Sequence, residues 1–570
     1  MKLYLAGALF NEAEIAQRLK EGKLLKEKFN LSNLAAKIIS NRNILGREMQ
    51  EDDIRKFLNP TRDDFYNPFL LPDMEKAVNR IEKAIENNEK ILIYGDYDAD
   101  GITSTTILTN FFKDIGIEVD KYIPNRLKEG YGINNKALEE IKDRGISLII
   151  TVDTGITANN QVDYANELGL DVIVTDHHEP SEEIPKALAV IDAKRKDNQY
   201  PFNQLAGCGI AFKLTQAITI KRNLDPINYL KNLDIVAIGT ISDLVPLVDE
   251  NRVIVKLGLM LVKQTKNLGL KRLLTKANLR EFNSTSISFG ITPRINASGR
   301  LGNQYDSLNL FITKDFKEAE RLSETLDSYN IERQKIGNKI YEEALAQLKD
   351  EEKNCIILGK EDWHHGVIGI VSSKITEKFN KPSILLCFED DIAKGSGRSV
   401  AGFDLHKAIS STKEYLLGFG GHTMACGLSL KVENFEKFKE AISKYIDENL
   451  DISKLEKEIY IDEILTMEDL DIDKIKALKL LEPYGEENPE PIIMYEKVEI
   501  NGIRTLSENK HLRLSLKKND KIIDAIGFNL GELAKEYKIG DIIDVIGNIE
   551  INSFNGKDSI QIRLIDIRKA

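Results

Sequence analysis

Residues 90–101, KILIYGDYDADG, consist of a short apolar run followed by a cluster of aspartates. The run ILIY has the length and composition of a strand buried on both faces. The segment TSTTILTNFFKDIG (103–116) follows as a predicted helix. Three further strand-like runs alternate with helical segments: ISLIITVD (146–153), LDVIVTD (170–176) and ALAVIDA (187–193). This alternation predicts an α/β domain with a parallel sheet covered by helices on both faces.

Acidic residues follow the ends of the predicted strands. Ligands of parallel sheets collect beyond the carboxyl ends of the strands, so these side chains are expected to meet at one edge. A further acid, Asp243, follows an apolar predicted helix in the segment GTISDLVPL. The candidates for a shared site at this edge are Asp96, Asp98, Asp100, Asp153, Asp176, His177, His178 and Asp243.

Such a cluster of acids favours a metal site. Carboxylates held close together repel one another and raise each other's pKa, and divalent cations remove that cost. Mixed carboxylate and imidazole ligands suit Mn²⁺ or Mg²⁺ better than a thiolate-type zinc site. A calcium loop of the EF-hand type requires flanking helices, whereas a strand precedes this run, and capping of helices does not explain the imidazoles. The predicted metal ligands are Asp96, Asp98, Asp100, Asp153, His177 and Asp243.

Length, charge and cysteine content limit the class of protein. The 570 residues suggest about three or four domains. The net charge of −12 argues against a polyanionic ligand unless bound cations and local basic patches offset it. The four cysteines form no CxxC pair, which argues against a zinc ribbon or a disulfide framework. No apolar run approaches a membrane span and no signal peptide is evident, so we expect a cytoplasmic protein without membrane contact.

Basic and small polar residues near glycines form a second set of candidates, for phosphate binding. They lie in IPNRLKEGYG, TPRINASGR, KGSGRS and GGHTMACG, where arginine can bind phosphate bidentately and glycine permits close backbone approach. A surface salt bridge is the alternative for the first segment, and an ordinary pair of loop arginines for the second. The predicted substrate-binding residues are Arg126, Arg294, Asn296, Ser298, Arg300, Ser396, Arg398 and His422.

The order of the motifs resembles a known family. GDYDADG, TVDTG and VTDHHEP look like the successive motifs of the DHH phosphoesterase family, and ISDLVPL looks like its fourth. AKGSGRSVAGFDL and GFGGHTMACG resemble its second domain, DHHA1, and TPRINASGR resembles a motif of its DNA-degrading branch. The resemblance covers residues 50–450. The β-rich tail after them resembles the oligonucleotide-binding (OB) barrel of that branch.

The resemblance implies a site for two Mn²⁺ or Mg²⁺ ions. Its ligands would be Asp98, Asp100, Asp153, His177 and Asp243, with Asp153 bridging the ions. The role of Asp96 is left open, as a ligand or a supporting residue. The resemblance gives catalytic roles to Asp153, His177 and His178, the last touching the scissile phosphate or supporting a ligand.

Five regions follow from the sequence and the resemblance together. We predict an α/β fold in which a parallel-sheet DHH domain and an α/β DHHA1 domain are joined by a long helix, with an OB-like β-barrel at the C-terminal end. The predicted bounds are a helical N-terminal region at 1–50, the DHH catalytic domain at 51–313, the connecting helix at 314–350, the DHHA1 domain at 351–452 and the OB domain at 453–570.

The resemblance implies a single-stranded-DNA-specific 5′→3′ exonuclease that releases 5′-mononucleotides in DNA recombination and repair. Single-stranded DNA is the expected partner, with a helicase and a single-strand-binding protein as possible others, and the chain is expected to be a monomer. The main alternative is a phosphodiesterase for short oligoribonucleotides or cyclic dinucleotides. A pyrophosphatase and a non-catalytic nucleic-acid-binding scaffold are further alternatives, which the tail and the intact ligand set respectively disfavour.

Overall fold

The computed structural model describes residues 2–5, 12–42, 49–126, 128–348, 354–451, 455, 458–554 and 556–570. The N-terminal region contains one strand as well as helices. Its elements are β1 (Lys2–Leu5), α1 (Glu12–Phe29), α2 (Asn33–Arg42) and α3 (Glu51–Leu58). The predicted helical N-terminal region thus contains helices and, at its first residues, also a strand that was not predicted. The strand was not evident because KLYL is too short to show a pattern.

The N-terminal region packs on the C-terminal part of the chain. β1 pairs in parallel with a strand at Glu458–Ile461. The guanidinium of Arg42 donates to both carboxylate oxygens of Asp462 and to Asn488 Oδ1. Apolar side chains of α1, α2 and α3 share one core with those of the C-terminal barrel. The two regions therefore form a single composite unit, although more than 400 residues separate them along the chain.

The catalytic domain contains the predicted parallel sheet. Its strands are β2 (Ile91–Tyr94), β3 (Asp120–Tyr122), β4 (Leu148–Val152), β5 (Asp171–Thr175) and β6 (Ala189–Ile191), in the order β3-β2-β4-β5-β6. All four pairings are parallel. The central strands are buried on both faces because helices cover each side, which explains their uninterrupted apolar sequences.

Twelve helices belong to the described part of this domain. They are α4 (Met74–Glu86), α5 (Ala99–Asp114), α6 (Asn135–Asp143), α7 (Asn159–Glu167), α8 (Gly207–Lys221), α9 (Ile227–Leu230), α10 (Leu233–Ser242), α11 (Asp249–Val262), α12 (Leu268–Lys276), α13 (Ser284–Gly290), α14 (Thr292–Leu301) and α15 (Tyr305–Ile312). Helices α6 and α7 pack on one face of the sheet. Helices α4, α5, α8 and α10 contribute to the larger core on the other face.

A long helix leads to the second α/β domain. Helix α16 (Phe316–Gln347) lies within the predicted connecting segment. The domain after it contains β7 (Ile356–Glu361), α17 (His365–Phe379), β8 (Ser383–Glu389), β9 (Ile392–Arg398), α18 (Leu405–Ser410), β10 (Leu416–His422), β11 (Ala425–Lys431) and α19 (Phe435–Asn449). Its mixed sheet has the order β10-β11-β9-β8-β7, in which only β7 and β8 are parallel.

The C-terminal region is the predicted β-barrel. Its elements are β12 (Glu458–Ile461), β13 (Glu463–Ile464), α20 (Ile472–Lys476), β14 (Ile493–Leu506), β15 (His511–Lys518), β16 (Lys521–Gly527), β17 (Ile542–Phe554) and β18 (Lys557–Lys569). The long strand β14 pairs with both β15 and β17, and this closes a five-stranded barrel of the OB type. The predicted fold class is thus confirmed in all three of its domains.

Across the described ranges, no helix combines the length and the apolar composition needed to cross a membrane.

Candidate metal centre

The carboxyl ends of β2, β4 and β5 bring the predicted metal ligands together. One group consists of Asp96, Asp98 and Asp153, whose ligand oxygens lie within 4.8 Å of one another. Asp153 adopts a left-handed backbone conformation with φ of 59°, which is strained for a residue with a side chain. Because Asp153 follows directly after β4, this conformation helps to direct its carboxylate towards the aspartates at the strand ends.

A second group contains Asp100, His177 and Asp243. His177 Nε2 lies 3.8 Å from Asp100 Oδ2 and 3.6 Å from Asp243 Oδ2. The same nitrogen lies 3.1 Å from Asp153 Oδ1. Asp153 therefore stands between the two groups.

Helix α5 begins inside the aspartate run, earlier than its sequence suggested. Asp98 is its N-cap and accepts hydrogen bonds from the backbone N–H groups of Asp100 and Gly101, at 2.9 and 3.1 Å. Asp100 thus lies in the first turn of a helix rather than in a loop. Position 101 requires glycine because the backbone of Asp96 lies close to it: a Cβ at this position would lie 2.5 Å from the carbonyl oxygen of Asp96.

The carboxylate of Asp100 is held by the start of another helix. It accepts from the backbone N–H groups of Gly207 at 2.6 Å and of Cys208 at 2.8 Å, at the N-terminus of α8. Burial, followed by the charge of Asp98, raises the pKa of Asp100 to about 6 despite these hydrogen bonds. The N-terminus of α8 therefore offsets only part of the cost of the buried charge.

The donor set fits divalent cations. The atoms Asp96 Oδ1, Asp153 Oδ1, His177 Nε2 and Asp243 Oδ2 are buried and lack a hydrogen-bond partner. Burial and the charges of neighbouring aspartates raise the pKa of Asp96, Asp153 and Asp243 well above the usual range. Buried, unpartnered acceptors of this kind are rare in proteins, and cations would supply both the missing partners and the missing positive charge.

The surroundings of the two histidines shift their pKa values in opposite directions. Burial, together with the charge of His178, lowers the pKa of His177 to about 3, so its imidazole is neutral and can act as a ligand. Burial opposes the charge on His178, but its Nδ1 lies 2.7 Å from Asp176 Oδ1, and this contact raises the pKa of His178. Asp176 also accepts from the backbone N–H groups of Ile156 and His177. It therefore fixes the loop that carries both histidines.

Gly207 leaves room for the carboxylates. A Cβ at this position would lie 2.8 Å from the Cβ of Asp153 and 2.9 Å from Asp100 Oδ2. Gly207→Ala is expected to displace both carboxylates and to weaken Mn²⁺ binding by at least about tenfold, as seen when residues supporting metal ligands are changed. Isothermal titration with Mn²⁺ measures this. Gly209→Ala is the matched control, because a Cβ there would meet Leu205 at an ordinary 3.4 Å. Equal affinities in the two variants would contradict the assignment.

Four arginines form a cluster between the two α/β domains. They come from the loop after β3, from α14, from α16 and from β9, and are Arg126, Arg300, Arg333 and Arg398. Among the described residues, none of the four forms an ion pair with a carboxylate. Burial and then the charges of its three arginine neighbours lower the pKa of Arg300. Such crowding of cations without counter-charges indicates a binding site for anions.

The arginine cluster adjoins the metal centre and the start of α17. The guanidinium carbon of Arg126 lies 5.0 Å from the centroid of Tyr97, which stands between Asp96 and Asp98 in the sequence. Arg300 Nη1 donates to the carbonyl of Gly366 in the first turn of α17, at 2.8 Å. Arg398 Nη1 donates to Ser396 Oγ at 3.0 Å. A polar strip thus runs from the aspartates to the second domain.

The other predicted substrate-binding residues are placed differently. Arg294 forms an ion pair with Asp327 at 2.8 Å, and Ser298 is fully buried and bonded to Ser307. Asn296 Oδ1 accepts from the backbone N–H of Ala99 at 2.8 Å, so it supports the first turn of α5. His422 is exposed at the end of β10, two strands from Arg398 at the same end of the sheet.

Several residues of the site were not among the sequence candidates. Arg333 lies in a charged helix, where nothing in the local sequence separates it from its neighbours. Tyr131 is 52% exposed, and its hydroxyl donates to the carbonyl of Asp153. Gly207 belongs to an apolar helix. Asp176 was a candidate for the shared site but was predicted neither as a metal ligand nor as a catalytic residue, although its position beside two histidines was a usable signal.

A parallel sheet with converging strand-end aspartates, joined by a long helix to a second domain with basic residues facing the cleft, defines a DHH-type phosphoesterase. Family models agree: "DHH family, N-terminal domain" matches residues 90–240, "DHHA1 domain" matches 352–448 and "RecJ OB domain" matches 461–566.

Several similar proteins are exonucleases named RecJ. The single-stranded-DNA-specific exonuclease RecJ of Bacillus subtilis is 39% identical over 551 residues, which cover 95% of this chain and 69% of that protein. RecJ of Haemophilus influenzae is 34% identical, with 93% and 96% covered. RecJ of Thermus thermophilus, crystallised with Mn²⁺, superposes with a TM-score of 0.85 at 29% identity, covering 100% of this chain and 80% of that one. The chain belongs to the RecJ family of single-stranded-DNA-specific exonucleases.

Proposed function

We propose that this protein is a single-stranded-DNA-specific exonuclease that hydrolyses phosphodiester bonds with two Mn²⁺ or Mg²⁺ ions. The observation that carries the proposal is the set of buried, unpartnered ligand atoms beside an arginine cluster without counter-charges. RecJ of Thermus thermophilus has been crystallised with Mn²⁺ and with Mg²⁺. The same metals suit the carboxylate and imidazole ligands of this chain.

Two groups of neighbouring ligand atoms support an assignment of the residues that would hold the ions. Asp96, Asp98 and Asp153 would hold one, and Asp100, His177 and Asp243 the other, with Asp153 shared. Asp96 is assigned as a ligand because one of its oxygens is buried without a partner. When bound, the cations supply Lewis-acid stabilisation of the negative charge that develops during phosphodiester hydrolysis.

The protein's own residues position the strand and its charge. His178, whose pKa is raised by its contact with Asp176 against the effect of burial, would donate a hydrogen bond to the scissile phosphate beside the carboxylates. The hydroxyl of Tyr131 is fixed between His178 and the backbone of Asp153, so its exposed ring stands at the entrance of the site.

The arginine cluster would bind the phosphate at the end of the strand. Arg126, Arg300, Arg333 and Arg398 converge beside Ser396 and the N-terminus of α17, which favours negative charge through its backbone N–H groups. A 5′-terminal phosphate held there, next to the metal centre, would lead to degradation in the 5′→3′ direction with release of 5′-mononucleotides. His422, exposed at the same end of the sheet, would contact the strand nearby.

The alternative of a phosphodiesterase for short oligoribonucleotides or cyclic dinucleotides is not favoured. Its substrates would not need a barrel, whereas here the match to RecJ proteins extends through the OB domain. Roles in DNA recombination and repair, a cytoplasmic location, a monomeric state, and cooperation with a helicase and a single-strand-binding protein remain predictions from the sequence.

Degradation of end-labelled DNA tests the proposal. With Mn²⁺ or Mg²⁺, the purified protein is expected to release labelled mononucleotides at once from a 5′-labelled, 5′-phosphorylated single strand, and to leave blunt duplex intact. A 3′-labelled strand should shorten progressively before its label appears in mononucleotides. Immediate release of the 3′ label, or cleavage of dinucleotides alone, would contradict the proposal.

A further inference from the structure

A fully buried arginine joins the barrel to the catalytic domain. Arg252, on α11, is 1% exposed. All of its hydrogen bonds among the described residues go to backbone carbonyls: Nε donates to Phe57 at 2.7 Å, Nη1 to Pro483 at 3.2 Å, and Nη2 to Glu482 and Leu480 at 2.9 and 3.4 Å. One guanidinium on α11 thus contacts two segments, at residue 57 and at residues 480–483, that are distant from it in sequence.

The aromatic ring of Phe57 completes the surroundings of Arg252. The guanidinium carbon lies 3.6 Å from the ring centroid, close enough for a cation–π interaction in a desolvated site. Phe57 lies in the last turn of α3, whose exposed carbonyls favour a cation. A buried charge with no carboxylate partner is costly unless hydrogen bonds compensate it, so the two contacted segments must stay in place around it.

Neighbouring contacts strengthen the same junction. Lys256, one turn further along α11, donates to the carbonyls of Leu58 at 2.7 Å and Leu480 at 3.1 Å. The backbone N–H of Leu247 donates to the carbonyl of Glu486 at 2.9 Å, and the Ser284 hydroxyl donates to the carbonyl of Tyr484. The N-terminal helices and the linker into the barrel are therefore both fastened to the catalytic domain at one place.

We propose that Arg252 is a positioning residue that holds the composite N-terminal and barrel unit at a fixed distance from the metal centre, so that the barrel binds a long strand in register with the active site. This inference rests on the proposed function. A rigid connection raises the effective concentration of the bound strand at the site, whereas a loose one dilutes it. The barrel presents exposed Phe528 beside His511 for such contacts.

Kinetic measurements on short and long DNA substrates distinguish this positioning role from a role in catalysis. Arg252→Met is expected to leave kcat and KM unchanged on a 5′-phosphorylated strand of about 5 nucleotides, and to raise KM at least about tenfold on one of about 40 nucleotides, which is longer than the roughly 4–16 nucleotides that an OB fold covers. Arg222→Met is the matched control, because its ion pair with Glu82 lies within the catalytic domain. The kcat and KM of this control should equal those of the wild type on both strands.

A disulfide provides the rescue experiment. A Cβ on Gly485 would lie 3.6 Å from the Cβ of Leu247, within the range of about 3.5–4.5 Å found in disulfides. Leu247→Cys with Gly485→Cys in the Arg252→Met protein is expected to restore the low KM for long strands when oxidised and not when reduced. The native cysteines are all buried, so the introduced pair can be oxidised selectively.

The outcomes are distinguishable. Absence of activity of the wild-type protein on both strands would refute the proposed function. An active Arg252→Met protein with an unchanged KM for long strands, or with lower kcat on short strands, would overturn the role of Arg252. If Arg252→Met does not fold, Lys256→Met serves as the test variant, because it removes two contacts of the same junction. A KM for long strands equal to that of the wild type in Lys256→Met would equally overturn the inference.

Discussion

Replacing Asp153 by Asn is expected to lower turnover of single-stranded DNA by at least about a thousandfold, which corresponds to about 4 kcal/mol of transition-state stabilisation. Asp153 is the residue that both ligand groups approach, through Asp96 and Asp98 on one side and His177 on the other. Loss of its charge therefore weakens both ion sites at once. Initial rates with saturating Mn²⁺ and labelled DNA measure the effect.

The same change should have the opposite effect on the stability of the metal-free protein. The charges of Asp100, Asp98 and Asp243 repel the buried Asp153 carboxylate, so a neutral amide removes a destabilising interaction. The midpoint of thermal unfolding in chelator is expected to rise by about 2–4 °C, the shift that about 1 kcal/mol causes in a domain of this size. Stabilisation by added Mn²⁺ should be largely lost.

Asp234→Asn is the matched control for Asp153→Asn. Asp234 is also a buried aspartate of the catalytic domain, but its carboxylate is bonded to Thr265 and the N-terminus of α10. Its replacement should preserve turnover and the response to Mn²⁺. If Asp153→Asn retained turnover within tenfold of wild type, the assignment of the metal centre would be wrong.

Arg398→Ala is expected to lower kcat/KM for 5′-phosphorylated strands by about 100-fold, the size of effect found when one side of a buried charged hydrogen bond is removed. The value for 5′-hydroxyl strands should change by much less, because they lack the group that the arginine cluster binds. The ratio of the two values, measured at one salt concentration, isolates recognition of the terminal phosphate from general attraction to DNA.

Arg294→Ala provides the comparison for Arg398→Ala. Arg294 lies on the same helix as Arg300, but its guanidinium is bonded to Asp327 and the carbonyl of Gly290. We expect its loss to change the phosphate preference by less than about threefold, because a guanidinium already paired with Asp327 is not available to bind a phosphate. An equal loss of preference in both variants would show that terminal-phosphate recognition is not located in the cluster.

Local patterns of apolar residues were sufficient to predict the sheet of the catalytic domain. The strands β2, β4, β5 and β6 were evident because burial on both faces leaves uninterrupted apolar runs. The edge strand β3, Asp120–Tyr122, gives a weaker sequence signal because it is short and half-buried. Convergence of the aspartates followed from the geometry of parallel strands. The start of α5 inside the aspartate run did not, because Asp98 as an N-cap looks the same as a ligand in sequence.

Features that depend on contacts between residues distant in sequence could not be predicted from local sequence patterns. Arg333 and Gly207 acquire their roles from neighbours in space, and Arg294 and Ser298 lose their predicted accessibility for the same reason. Arg252 is one cationic residue in a helix, and only the folded chain shows that it is buried. The assignments of individual ligands and substrate contacts stay predictions that the variants above test.

The pairing of β1 with β12 has a consequence for synthesis of the protein. The partners of residues 2–5 are residues 458–461. The N-terminal strand and helices therefore cannot complete their packing until the ribosome has synthesised more than 400 further residues. During that interval the apolar faces of α2 and α3 have no barrel to cover them, whereas the catalytic sheet can already fold as a unit. At the usual pace of synthesis, about 5–20 residues per second, the exposure lasts roughly 20–90 s, long enough for chaperones to bind this segment.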